Sequence, residues 1–436
     1  MDLLRDYESR NVTFIEADGS WPIIWERAKG VYVWDEQGRR YLDLTAAFGV
    51  AAAGHANSRV IAAGRRQMGR LLHAMGDVHP HRLKAELARE LGRITFERWN
   101  HSAGSSSRGK TIFCSSGFEA VEAALKTAML ATGKPGVIVF EKAYHGLGYG
   151  ALNATHREHF RSHFRSQLRA FGEFVAFPSS QAGEPSLELL ESQIRRHLRG
   201  NTVGAILVEP IQVRGGINIP PPGFLPLLRR ICNEHEIILI LDEIYTGFGR
   251  TGKWFACEHS QTVPDLICLG KALTGGFPLS ACVGRAELMD AAWPPSGGEA
   301  IHTSTFLGHP VGCAMALANI REIHGRRLVA RSAELGASLL TTVANLANSL
   351  QKASKIRFNA RGHGLLAGLE LLNADGSPAT KPALATVKSL LHRGFILLPE
   401  GEHANVISFT PPLIISRNQL QSAVDALAGA LPGTTR

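Results

Sequence analysis

Three apolar runs in this chain each deliver a chemically useful group at their C-terminal end. Ile237–Leu241 runs unbroken into Asp242. A carboxylate carried there and partly buried needs a cationic partner. Leu266–Leu269 runs into Gly270 and Lys271, with Gly275 and Gly276 close behind. A lysine drawn out of water gives up its proton more easily and can then attack a carbonyl to form a Schiff base. Thr111–Cys114 runs into Ser115, Ser116 and Gly117, and a helical pattern starts at about Phe118. Free backbone N–H groups and the positive end of the helix dipole converge there, where an anion can sit. Each segment also has a plainer reading: a structural salt bridge for Asp242, a loop lysine for Lys271, an N-cap for Ser116. Together they describe a ligand with an aldehyde, a basic ring nitrogen and a phosphate. Pyridoxal 5′-phosphate has those three handles.

Groups at strand ends need a parallel sheet to bring them together. Short apolar strands are predicted at 111–114, 137–140, 203–208, 237–241, 266–269 and 281–283, alternating with helical stretches such as 119–131 and 223–235. That alternation implies an α/β fold, a mainly parallel sheet covered by helices. Before it, residues 30–38 read as a hairpin around an Asp-Glu-Gln-Gly turn, and 59–100 as mostly helical. After it come a helix-rich stretch at about 310–352, strands near 364–371 and 406–409, and a terminal helix.

With 436 residues and 44% hydrophobic content the chain can bury a large core. The net charge of +9 is scattered, with no basic stripe interleaved with aromatics, so nucleic acid is not an expected partner. Six cysteines form no CxxC pair and lie among apolar or small residues. They read as reduced thiols of a cytoplasmic protein rather than a disulfide framework. The charged N-terminus lacks the apolar stretch of a signal peptide, and no uncharged apolar run approaches the roughly 20 residues that span a bilayer, so no membrane association is expected.

From about residue 20 to 430 the chain resembles the class III (ornithine/4-aminobutyrate type) aminotransferases of the pyridoxal-phosphate fold type I superfamily. The motifs are SSGFEAVEAALK (115–126), AYHG (143–146), VEPIQ (208–212), LDEIYTGFGRTG (241–252), DLICLGKALTGGFPLSA (265–281), HTSTFLGHPVGCAMAL (302–317) and FTPPLIIS (409–416). The resemblance implies a large cofactor-binding domain at 56–308 and a smaller α+β domain built from 1–55 and 309–436. It implies that Lys271 is the Schiff-base lysine and proton carrier and that Asp242 faces the pyridine nitrogen. Backbone amides of Gly117 and Phe118, with the Ser116 hydroxyl, would hold the phosphate, and Tyr144 would stack on the ring beside His145. Ser304 and Thr305 would reach the phosphate of the neighbouring subunit, which makes a homodimer the expected partner.

Four positions depart from that pattern or lose their usual partner. Tyr245 stands where relatives often carry a glutamine facing the cofactor's 3′-oxygen. Ser408 stands where many carry a carboxylate-binding arginine, and Leu147 where the 4-aminobutyrate enzymes carry another. Glu209 of the Val-Glu-Pro motif thereby lacks its usual arginine, leaving Arg214 as a candidate partner. Serine and leucine are poor substitutes for a bidentate guanidinium. The expected donor is therefore a primary amine, amino alcohol, diamine or ω-amino acid with no α-carboxylate at its reacting end, and the acceptor a 2-oxo acid or related carbonyl. An aminomutase, racemase or decarboxylase would share the same core.

Two rival readings are weaker. Gly247–Gly252 matches G-x-G-x-x-G, with Asp265 18 residues after Gly247. A dinucleotide fingerprint needs the strand to end at the first glycine and a helix to open within the motif, whereas this strand ends five residues earlier. His73, His79 and His81 match no standard metal spacing. A non-enzymatic use of the fold would tolerate loss of Lys271 or Asp242, and both are present.

Overall fold

The computed structural model describes residues 1–99, 108–178, 186–351 and 354–432. Its centre is a seven-stranded sheet in the spatial order Gly109–Cys114, Ser280–Arg285, Leu266–Leu269, Ile238–Asp242, Val203–Val208, Gly136–Phe140, Gly172–Val175. Six strands run parallel, and Ser280–Arg285 is antiparallel to both of its neighbours. Val203–Val208, Ile238–Asp242 and Leu266–Leu269 are buried at every residue. Central strands covered on both faces carry continuous apolar runs for this reason. Gly172–Val175 lies outside the predicted set: it is an edge strand, and its glycine and exposed Glu173 break the apolar signal.

Helix Gly117–Thr132 starts at the end of the first strand. Glu119 accepts from the amides of Ser115 at 2.7 Å and Ser116 at 3.3 Å. Ala120, Ala123, Ala124 and Ala128 pack against the sheet. Gly133 ends the helix in the left-handed conformation.

The chain ends meet in a second sheet. Trp25–Lys29, Tyr32–Asp35 and Arg40–Asp43 form an antiparallel meander, and Phe395–Ile396 adds to it in parallel beside Leu42 and Asp43. A third, antiparallel sheet contains Arg357–His363, Leu366–Leu372, Val406–Phe409 and Leu398–Glu400. Helices Pro310–Gly325 and Leu328–Gln351 fill the predicted helical stretch. Among the described residues no helix is long and apolar enough to cross a membrane.

Gly247–Gly252 opens no helix. Its Arg250 is fully buried and donates to the carbonyls of Leu365 at 2.8 Å and Pro411 at 2.6 Å. The motif therefore ties the large sheet to the C-terminal segment instead of cradling a dinucleotide.

Candidate active site

Strand order alone sets the residues side by side. Val208 pairs with Leu241, and Asp242 pairs with Cys268. Three adjacent strands thus deliver Glu209, Asp242 and the Gly270–Lys271 step at their C-terminal ends. The loop after Gly136–Phe140 brings Tyr144 and His145 to the same end of the sheet, and the first strand brings Ser116–Phe118. They surround a cleft of about 360 Å³ lined by Gly117, Phe118, Tyr144, His145, Glu209, Arg214, Asp242, Tyr245 and Lys271, among others.

Asp242 is buried and accepts from Nδ1 of His145 at 2.8 Å and from the Ile244 amide at 3.1 Å. His145 is buried in turn, and its amide donates to Thr155 Oγ1 at 2.9 Å. The carboxylate is thus held at the strand end with its orientation fixed from two directions. Burial lowers the Lys271 ammonium pKa below the ordinary lysine value, against the opposing pull of Asp242 and Glu209. Lys271 has φ +40°, a conformation that costs a non-glycine residue about 1–2 kcal/mol. Its Nζ lies 4.6 Å from the ring centroid of Tyr245. Glu209 accepts from the Tyr144 amide at 2.9 Å, and burial pushes its pKa up to about 7.

The residues fit the expected cofactor by a test internal to the fold. The Ser116 hydroxyl is buried without a hydrogen-bond partner, beside the start of a 16-residue helix. Nε2 of His145 is likewise buried and unpaired. Buried polar atoms are rarely left so, and a phosphate at the helix start answers the first orphan. Asp242 offers a carboxylate to a protonated ring nitrogen, and Lys271 an amine to an aldehyde. When bound, such a cofactor withdraws electrons from the carbon that bears the substrate nitrogen.

Most of the expected site residues converge here, but not all. Tyr245 lines the cleft, yet its hydroxyl is 3.4 Å from Thr410 Oγ1 and its ring packs under Lys271. Ser304 and Thr305 are exposed and lie outside the cleft of their own chain. Arg214 does not pair with Glu209. Its Nη1 donates to Glu400 Oε2 at 3.1 Å. Glu400 and Arg157 gave no signal in the sequence, since neither falls in a motif. Ser408 is buried and its hydroxyl is used on the Leu398 carbonyl at 3.0 Å. Of the histidines, His81 bonds the Gly308 carbonyl at 2.7 Å and His73 packs on Phe306.

Comparison with known proteins agrees with this geometry. The family model for aminotransferase class-III matches residues 14–431. The chain is 33% identical to acetylornithine aminotransferase of Methanosarcina mazei over 429 residues, covering 98% of this chain and 96% of that protein. It is 35% identical to 5-aminovalerate aminotransferase DavT of Pseudomonas aeruginosa, covering 93% of each. Among solved structures, an omega transaminase from Pseudomonas jessenii in complex with PMP superposes with a TM-score of 0.87 at 26% identity, covering 98% of this chain and 96% of that one. A transaminase from the marine bacterium Virgibacillus gives the same TM-score and identity, covering 98% and 97%. A parallel-rich sheet that gathers an anion cradle, a carboxylate and a lysine, with relatives matched over nearly its whole length, places the chain in one family: it belongs to the class III aminotransferases, pyridoxal-phosphate enzymes of fold type I.

Proposed function

We propose that this aminotransferase takes its amino group from a primary amine, diamine or ω-amino acid with no carboxylate on the reacting carbon, and passes it to a 2-oxo acid. One observation carries the reading. Ser408 is buried and bonded to backbone, and Leu147 presents an apolar side chain to the cleft. Neither can hold an α-carboxylate at the places where relatives hold one. The 5-aminovalerate and omega transaminases among the relatives support the same donor class.

In this reading Lys271 would hold the cofactor through its aldehyde. Its Nζ would carry the proton to and from the donor's amine-bearing carbon, and burial, which lowers its pKa, makes the neutral amine easier to reach. Asp242, oriented by His145, would keep the ring nitrogen protonated. Gly117, Phe118 and Ser116 would hold the phosphate, and Tyr144 would cover the ring.

Ser304 and Thr305 complete the phosphate site of a second subunit. Their surroundings support a homodimer: Leu72, Met75, Val78, Ile301 and Phe306 are all more than half exposed, and His73 and Phe306 pack these two segments together. Apolar side chains left exposed beside one another favour an interaction surface. Residues 1–55 and 309–436 act as one small domain against 56–308, a division supported by the parallel strand Phe395–Ile396 beside Leu42. Six free, buried cysteines favour a cytoplasmic site of action.

The test is a donor series against one acceptor, run on wild type and Ser408→Arg. Wild type should favour amines and ω-amino acids, and Ser408→Arg should gain on α-amino acids. A wild-type preference of ten-fold or more for α-amino acids reacting at the α-position refutes the proposal.

A further inference from the structure

The turn that carries Lys271 is strained, and a side chain from a distant helix reaches into it. Strand Leu266–Leu269 ends at Gly270, and Lys271–Leu273 forms a single tight turn. Lys271 opens it at φ +40°, in the left-handed region that side chains avoid. Such a conformation persists only where its surroundings over-determine it. Within the loop, the Leu273 amide donates to the Gly270 carbonyl at 2.8 Å. Thr274 Oγ1 accepts from the Phe277 amide at 3.0 Å and donates to the Phe277 carbonyl at 2.6 Å. From outside the loop comes Asn319, on helix Pro310–Gly325. Its Nδ2 donates to the Ala272 carbonyl at 2.6 Å and reaches the Leu273 carbonyl at 3.5 Å.

Stability alone does not favour an asparagine here. Asn319 is fully buried, on a helix whose Ala316, Ile320 and Ile323 are buried with it. Asparagine is a weaker helix former than leucine or alanine. Only an N–H can serve the Ala272 carbonyl, so the orientation of the amide is settled, and its Oδ1 is left buried without a hydrogen-bond partner. A buried acceptor left so costs stability. Leucine, with the same branched shape, would carry neither cost. The loop also makes room for this side chain: a Cβ added to Gly275, at φ +73°, would stand 3.2 Å from Oδ1. Local costs of this kind are kept where a site needs the group.

We infer that Asn319 is a positioning residue for Lys271: its amide pins the Ala272 carbonyl, holds the turn in its left-handed entry, and so keeps Nζ aimed into the cleft. That Nζ now lies 4.6 Å from the centroid of the Tyr245 ring. Burial there lowers its pKa. Relaxing φ to the ordinary negative range would swing the Lys271 side chain off this line, because the strained residue is the one that bears the amine. The inference rests on the reading of Lys271 as the lysine that holds the cofactor, and adds the residue that aims it.

The experiment uses cofactor-free protein, wild type or carrying Asn319→Leu or Asn319→Asp. Three quantities are read. They are the rate at which added pyridoxal phosphate becomes fixable to Lys271 by borohydride, the pH dependence of Lys271 acetylation by acetic anhydride, and the melting temperature; peptide mass spectrometry locates both labels. Asn319→Leu removes the donor. Fixation should slow by about three- to ten-fold, the worth of one hydrogen bond. Acetylation should titrate at higher pH, closer to an ordinary lysine, while melting changes little. Asn319→Asp separates the donor from the volume. Burial raises the new carboxyl's pKa; protonated, it donates to the Ala272 carbonyl as the amide does, and ionised, it opposes that carbonyl. Its fixation rate should match wild type at acid pH and fall below that of Asn319→Leu as pH rises. Wild-type fixation and acetylation in Asn319→Leu would overturn the assignment, as would an Asn319→Asp profile parallel to Asn319→Leu at every pH. Slow fixation in both variants at every pH, with melting lowered by about ten degrees or more, would show a packing residue and overturn it too. If wild type fixes the cofactor on another lysine, the reading of Lys271 fails instead, and acetylation of Lys271 still tests Asn319.

Discussion

Gly146 couples the two halves of the cofactor site, and replacing it with alanine should loosen the cofactor more than it loosens the fold. Its φ of +115° lies where side chains are strained, at a cost of about 1–3 kcal/mol. An added Cβ would stand 2.3 Å from Cβ of Phe118 and 3.1 Å from its Cα. Carbon atoms settle near 3.5–4.0 Å, so one side must move by roughly 1 Å or more. Overpacking of that kind costs about 1–3 kcal/mol. Relaxation cannot be confined to the glycine. Thr155 Oγ1 accepts from the His145 amide and donates to the Gly146 carbonyl, each at 2.9 Å. The shift therefore falls on Phe118, the second residue of helix Gly117–Thr132, or on His145, which orients Asp242.

Of the total of about 2–6 kcal/mol, a share of 1.4–2.8 carried by the bound state weakens the cofactor about ten- to a hundred-fold. Gly133→Ala is the control. It has φ +68° and nothing within 4 Å of an added Cβ, so it carries only the backbone cost of about 1–2 kcal/mol, far from the site. The assay strips the cofactor, titrates it back by absorbance, and records melting of both forms. Equal cofactor affinity in the two variants would refute the claim that Gly146 packing sets the cradle.

Three further outcomes are expected. Asp242→Asn keeps shape and removes charge, so the cofactor should still bind while kcat falls by at least about a hundred-fold; unchanged kcat would mean that another group faces the ring nitrogen. Burial raises Glu209 from 4.5 to about 7, so its neutral form favours folding. That contribution is complete below about pH 4.5 and lost as pH climbs through about 7. In cofactor-free protein, Glu209→Gln should flatten the fall in melting temperature over that window, and a profile parallel to wild type would count against it. Mixing Lys271→Ala subunits with Thr305→Ala subunits should recover activity above either parent, because one site of the mixed dimer holds both residues; no recovery in a proven mixed dimer would remove Thr305 from the neighbouring site.

What was legible in the sequence was whatever a single segment carries. Val203–Val208 and Leu266–Leu269 match their predicted bounds because strands covered on both faces must be apolar throughout. Groups at the ends of such strands stand out against the apolar run, which is how Asp242 and Lys271 become candidates from sequence. Arg357–His363 escaped because its partly exposed, polar residues carry no such run. Edge strands answer to solvent on one side, and their composition says less about where they are.

The contact between Arg214 and Glu400 failed to show for a different reason. Arg214 sits in a loop after one strand of the large sheet, and Glu400 ends an edge strand of the C-terminal sheet, 186 residues away. No spacing rule joins them, because the contact is made by one sheet packing across another. The sequence offers Arg214 only as a candidate partner for Glu209, and Glu400 alone reads as a turn carboxylate in Pro-Glu-Gly-Glu. The contact exists only as a pair: one guanidinium donor of Arg214, at the cleft, meets one oxygen of the buried Glu400. The cofactor's chemistry demands strand ends, which sequence reveals. A contact across two sheets demands elements that meet from different parts of the chain, which it does not.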